Sequence, residues 1–250
     1  MWIAILVLLS VLVTAIISGV IGMAGGMILM GILVSIQSVP AAMTLHGIAQ
    51  ATSNGSRTWI LRRHIVWRVL PPYLAGAALA FAAFVAVLLV PDRAVIYIMI
   101  GSFPWLARIL PALRGLNVET PGTAFACGIV VTAAQLAAGA SGPLLDVFYL
   151  NTRLDRLAIV ATKALTQTLG HLLKLGYYVG VIGLTAVDDL PGAWLWAGII
   201  VMAVLGSRLG TLILVRISEA QFRRASEIAI LALGALCVVR GLYELMPRWG

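Results

Sequence analysis

Ala161-Thr-Lys-Ala-Leu-Thr-Gln-Thr-Leu-Gly-His-Leu-Leu-Lys174 is the stretch on which the fold of this chain turns. Lys163, Gln167, His171 and Lys174 follow the spacing i, i+4, i+8, i+11, which lines all four along one face of an α-helix. The same spacing occurs earlier at His46, Gln50, Asn54 and Arg57. Each residue of the first set stands 117 positions before its mate in the second, with Gln50 and Gln167 identical and Arg57 and Lys174 both cationic. Gly22 with Gly139, and Gly25 with Gly142, share that offset. A duplicated unit is the simplest explanation. Lys163 and Lys174 are also the only lysines in the chain.

The polar stripes stand out because everything around them is apolar. Of 250 residues, 62% are hydrophobic and 10% charged, and the mean hydropathy is +1.06. A soluble domain needs more surface charge than that, so the composition describes a polytopic membrane protein. The net charge of +8 would suggest nucleic acid in a soluble chain. Here the arginines fall mostly in short loops, with no basic tail, so their role is topological and no nucleic acid is expected. Cys127 and Cys237 lie within apolar segments without metal spacing and read as small buried hydrophobes. No metal and no cofactor are expected. Met1-Trp-Ile-Ala4 lacks the positive start of a secretory signal, so the first apolar run is expected to be a retained span.

Apolar runs and breakers divide each half into five segments. They cover roughly 2–21, 27–37, 41–60, 69–90 and 94–110, then 121–138, 143–150, 157–182, 194–215 and 228–246. The expected architecture is all-α, with two repeats (1–113 and 114–250) in one membrane domain of 8–10 segments. Segments 27–37 and 143–150 are too short to span, since a membrane helix needs about 20 residues. Each follows a glycine cluster and reads as a half-helix or re-entrant arm of a hairpin, which belongs in the protein interior. Arg62, Arg63 and Arg68, then Arg114, then Arg216, Arg223 and Arg224 mark the cytoplasmic loops, against Asp92-Arg93 and Asp188-Asp189 opposite. That places both termini outside, with Arg248 a mild dissent. An odd number of crossings per half inverts the second repeat relative to the first, an architecture of transporters with a midplane site.

Further residues carry a family resemblance. The first half reads Ser18-Gly-Val-Ile-Gly-Met-Ala-Gly-Gly-Met27, then Val39-Pro40, then Arg62-Arg-His-Ile-Val-Trp-Arg68. The second reads Gly139-Ala-Ser-Gly-Pro-Leu-Leu-Asp146, then Ala161-Thr-Lys-Ala164, Gln167 and Gly170-His-Leu-Leu-Lys174. Along most of its length the chain resembles the TauE/SafE family of sulfite exporters and sulfonate transporters. It departs in its shorter first glycine run, in Pro143 after Gly142, and in His46, where relatives have a small or hydroxyl residue. The resemblance implies export of a small anion such as sulfite or an organosulfonate across a bacterial-type inner membrane.

An oxyanion leaving water needs donors, and the stripes supply them. Lys163 reads as the central cation, with Gln167 and Gln50 orienting the ligand. Asn54, His171 and Thr162 line the same pathway, which is expected to run along 44–57 and 161–174. Half-helices after Gly25-Gly26 and Gly142 would aim N-terminal dipoles and free N–H groups inward. His46 reads as a second cation or a proton carrier. Asp146 either neutralises a nearby lysine or accepts a transported proton. Arg57 and Lys174 lie late in their helices and are secondary cations, with snorkelling to the headgroups the competing reading. The expected partners are a small anion and the bilayer, and a homodimer is compatible with the sequence. Two rivals remain: a passive anion channel, and a rhomboid-like protease using Ser141 and His171.

Overall fold

The computed structural model describes residues 2–21, 24–109, 115–183, 193–214 and 219–246. Ten α-helices occupy them: α1 Trp2–Ile21, α2 Ala24–Ile36, α3 Val39–Ile60, α4 Leu70–Val87, α5 Arg93–Ile109, α6 Pro121–Ala138, α7 Gly142–Val147, α8 Arg156–Leu175, α9 Ala193–Leu214 and α10 Glu219–Leu245. No strand occurs among the described residues. Three stretches are long and apolar enough to cross a membrane, Trp2–Gly19, Trp67–Val87 and Pro121–Ala138, within the described residues. The helices α3 and α8 match them in length but carry the polar stripes.

Local sequence explains where the helices start and stop. Pro40 and Pro121 sit in the first turns of α3 and α6, where a missing N–H costs nothing. Asp155 caps α8 by accepting from the Ala158 N–H at 2.9 Å, a contact worth about 1 kcal/mol. At the end of α6 the chain turns through Gly139, whose φ of +77° is strained for any other residue. A side chain there would also strike the Met30 and Met43 sulfurs. Directly after Lys174, α8 widens into a π-helical turn, Gly176–Val181.

Two boundaries differ from the sequence expectation. The last helix begins at Glu219 rather than near 228, because Ala, Gln, Arg and Glu are strong helix formers that a hydropathy reading passes over. The second short arm, α7, has only six helical residues and then breaks into turns. Arg114, Asp188, Asp189, Arg216 and Arg248, used above to orient the loops, lie outside the described residues, as does Gly22.

The packing places α3 and α8 face to face in the interior. Around them α1 packs on α9, α4 on α6, and α5 on α10. Each outer pair meets at glycines whose missing side chains admit the partner backbone: Gly206 and Gly210 against α1, Gly76 with Gly128, and Gly101 with Gly234. Such close approach replaces the hydrophobic drive that helices in lipid lack. Large apolar side chains on these outer helices, among them Leu9, Leu79, Ile200 and Leu236, are exposed. The loops before α4, α6 and α8 meet at one end. There Glu119 pairs with Arg68 and accepts the Arg153 N–H at 2.8 Å. At another point Arg93 donates to the Gln37 carbonyl at 3.1 Å, joining the α2–α3 and α4–α5 links.

Candidate functional site

The polar faces of α3 and α8 run antiparallel and face each other. Toward one end of the contact the Thr58 and Thr168 hydroxyls lie 3.4 Å apart, and toward the other Lys174 reaches His46. Gln50, Asn54, Gln167, His46 and His171 are all buried between the helices. None of these polar side chains is spent on lipid.

At the centre is Lys174, which is 0% exposed. Its ammonium donates to His46 Nδ1 at 2.8 Å and to the Gly139 carbonyl at 3.0 Å. His46 Nε2 lies 2.8 Å from the Gly26 carbonyl. A carbonyl only accepts, so the His46 proton sits on Nε2 and its Nδ1 lone pair faces Lys174. An ammonium has three donors, and two are used here. Neither of the two partners is a carboxylate. An isolated buried charge is costly enough that an amine held this way carries a proton stably only with an anion beside it.

A second chain of hydrogen bonds adjoins the first. Gln167 donates to Ser141 Oγ at 3.3 Å, Ser141 donates to Gln135 Oε1 at 2.5 Å, and Gln135 Nε2 lies 2.6 Å from His171 Nδ1. The rings of His46 and His171 are 5.3 Å apart. Both glycine hairpins therefore enter the cluster: the first through Gly26, the second through Gly139 and Ser141. Asn54 turns back on its own helix, donating to the Gln50 carbonyl at 3.0 Å.

The remaining sequence candidates are placed elsewhere. Lys163 lies apart from this cluster and pairs with Asp146 of α7, with 19% of its side chain exposed. Arg57 comes near Lys163 as a like charge, and its Nη2 is buried without a hydrogen-bond partner among the described residues. Thr162 accepts the Val66 N–H at 3.0 Å and thereby ties the α3–α4 loop to α8. Gly25 lets α2 approach the α1 backbone near Thr14 and Ser18, and Gly142 is buried at the start of α7. Lys174 does not snorkel, because it is covered at its end of α8. In the turn that follows, the buried Tyr178 donates to the Leu136 carbonyl at 2.8 Å and Tyr177 to the Leu89 carbonyl at 2.9 Å. Phe81 and Phe84 pack edge-on against Tyr177.

Gln135 escaped the sequence reading. It is the one amide in an otherwise apolar run, four positions before the Gly139 break, and that placement was the available signal. Ser141 and His171 make no direct bond among those described; Gln135 stands between them and takes the serine proton into its carbonyl oxygen.

The sulfite exporter TauE/SafE family model matches residues 6–236. The chain belongs to the TauE/SafE family. It is accordingly a membrane protein of a transporter family. No curated protein and no solved structure matches the chain significantly. An apolar groove of about 250 Å³ lined by Leu74, Phe81, Leu169, Leu172, Leu173 and Gly176 has none of the donors an anion needs.

Proposed function

We propose that this protein is a multi-pass inner-membrane carrier that exports a small sulfur oxyanion, sulfite or an organosulfonate, by alternating access. The observation that carries this reading is Lys174: a fully buried amine that, among the described residues, has an imidazole and a carbonyl but no carboxylate as partners, with hydrogen-bonding amides and imidazoles around it. The transported anion is the missing counter-ion. Gln50, Gln167 and Gln135 replace its hydration, while His46 and His171 line the site. Selectivity in this reading comes from the number and direction of these donors.

Inverted repeats are part of the same proposal. The 117-residue offset matches α1 to α6, α2 to α7 and α3 to α8, and chain order then matches α4 to α9 and α5 to α10. Exchange of the halves turns the α1–α9 contact into α6–α4, and α2–α10 into α7–α5, while α3–α8 and α5–α10 map onto themselves. A two-fold exchange of this kind supports two antiparallel repeats, 1–113 and 114–250, around one central site. The glycine hairpins then act as arms that meet the polar helices from opposite sides.

A carrier is favoured over a channel because Lys174 is fully buried, with no opening to solvent. A protease is disfavoured because no base faces the Ser141 proton. The test is equilibrium binding of sulfite, methanesulfonate, sulfate and acetate to purified protein, followed by flux in proteoliposomes. Saturable sulfite or sulfonate binding and counterflow are expected. Flux linear in anion concentration, without counterflow, would indicate a channel; labelling of Ser141 by a fluorophosphonate would indicate a hydrolase. If His46 carries a coupled proton, His46→Ala changes the pH profile of flux, and an unaltered profile removes that role.

A further inference from the structure

We propose that Arg57 and Lys163 form a second oxyanion subsite, in series with the Lys174 cluster, and that the Asp146 carboxylate occupies it as a tethered stand-in until a free anion displaces it. This deepens the carrier reading and rests on it. The duplicated stripe supplies the first argument. Lys163 stands where the first repeat has His46, and Arg57 where the second has Lys174. The pair His46–Lys174 therefore has a mate, Lys163–Arg57, at the other end of the α3–α8 contact.

Charge supplies the second argument. Arg57 lies near Lys163 there as a like charge, and the carboxylate paired with Lys163 is Asp146, which reaches it from α7. Arg57 Nη2 stays buried without a partner among the described residues. A guanidinium has five donors in a planar fork suited to a carboxylate or sulfonate, and leaving one buried and unused is costly. One carboxylate for two cations leaves the subsite short of negative charge.

Accessibility supplies the third. Asp146 keeps 41% of its side chain exposed and Lys163 19%, so solvent reaches this end of the stripe, whereas Lys174 is sealed. The position equivalent to Asp146 in the first repeat is Leu29, which is buried. The sealed pair consequently has no tethered carboxylate, and only the reachable pair does. An anion arriving from the end shared by the arginine loops meets Arg57 and Lys163 first. It displaces Asp146 and passes along Gln50 and Gln167 toward Lys174. The ligand class is a small oxyanion with two or three equivalent oxygens, the chemistry that a carboxylate imitates.

The experiment is calorimetric sulfite binding to the full-length purified protein. Neutralising the stand-in with Asp146→Asn, or with Asp146→Leu, which copies the first repeat, should tighten sulfite binding roughly two- to fivefold, the worth of a half-exposed ion pair. Lys163→Ala and Arg57→Ala should weaken it about tenfold or more, and Lys163→Ala should cancel the gain in the Asp146→Asn background. Unchanged or weaker binding in both Asp146 variants, with monodisperse protein, overturns the proposal and makes the ion pair a strut between α7 and α8. Sulfite binding that Lys174→Met abolishes while Arg57→Ala leaves it intact also sinks the subsite alone. Absence of any anion binding by the unaltered protein sinks the carrier reading and the subsite together.

Discussion

The two ends of the α3–α8 contact carry matched cations in opposite circumstances. At one end Lys174 is fully buried and bonded, among the described residues, to an imidazole and a backbone carbonyl. At the other, Lys163 meets an aspartate that solvent reaches, beside an arginine with an idle nitrogen. The sequence pattern places cations at both ends, so the difference comes from the surroundings. In the carrier proposed above the two ends would trade places, and the π-helical turn after Lys174 offers a place for that exchange, since its i→i+5 bonding departs from the regular helix before it.

The comparison breaks most decisively at Lys174. Replacing it by methionine keeps the volume and removes an uncompensated buried charge, so the protein should fold with equal or higher thermal stability. Sulfite flux in proteoliposomes should fall about 100-fold, the upper range for charge-assisted contacts. Normal flux in that variant would show that the sealed end is inert. Next comes Gln135→Leu, which cuts the link between Ser141 and His171; flux should drop roughly tenfold, with binding weakened in parallel. Calorimetry and transport together check whether Gln135 acts on the anion or only on packing.

Smaller effects sharpen the picture. Gly139→Ala forces an L side chain into positive φ and onto two methionine sulfurs, so the melting temperature should fall by an amount equivalent to about 1–3 kcal/mol. Because the Gly139 carbonyl also holds Lys174, flux should suffer with it. The weakest change is Thr58→Val, which removes a 3.4 Å contact to Thr168 between the helices and should cost no more than about 0.6 kcal/mol. A large loss of transport in that variant would mean that the hydroxyl pair contacts the anion, and would extend the site toward the reachable end.

Much of the architecture was legible from composition and period. Ten segments, the two short arms, and the shared face of His46, Gln50 and Asn54 all follow from where apolar runs stop and polar residues recur. The extended start of α10 was not legible, because hydropathy is blind to a polar helical turn. At the site, the residue types were visible but their pairings were not. The spacing that put Lys163 and Lys174 on one face said nothing of which one would be covered. That was fixed by the packing of His46 and the Gly139 turn around one end and by α7 bringing Asp146 to the other. Gln135 joined the cluster only because the turn at Gly139 folds its helix end back beside Ser141.

The sequence by itself determined that this chain lies in a membrane, that it is helical, and that two helices carry donor-bearing faces of the same spacing. Those properties depend on hydropathy and periodicity, which are local and additive along the chain. Only the tertiary structure decided which lysine is sealed, which is paired, and which arginine nitrogen is left without a partner. Burial and hydrogen bonding are relations between distant segments: the 128 positions between His46 and Lys174 become 2.8 Å only when both hairpins and both polar helices have packed.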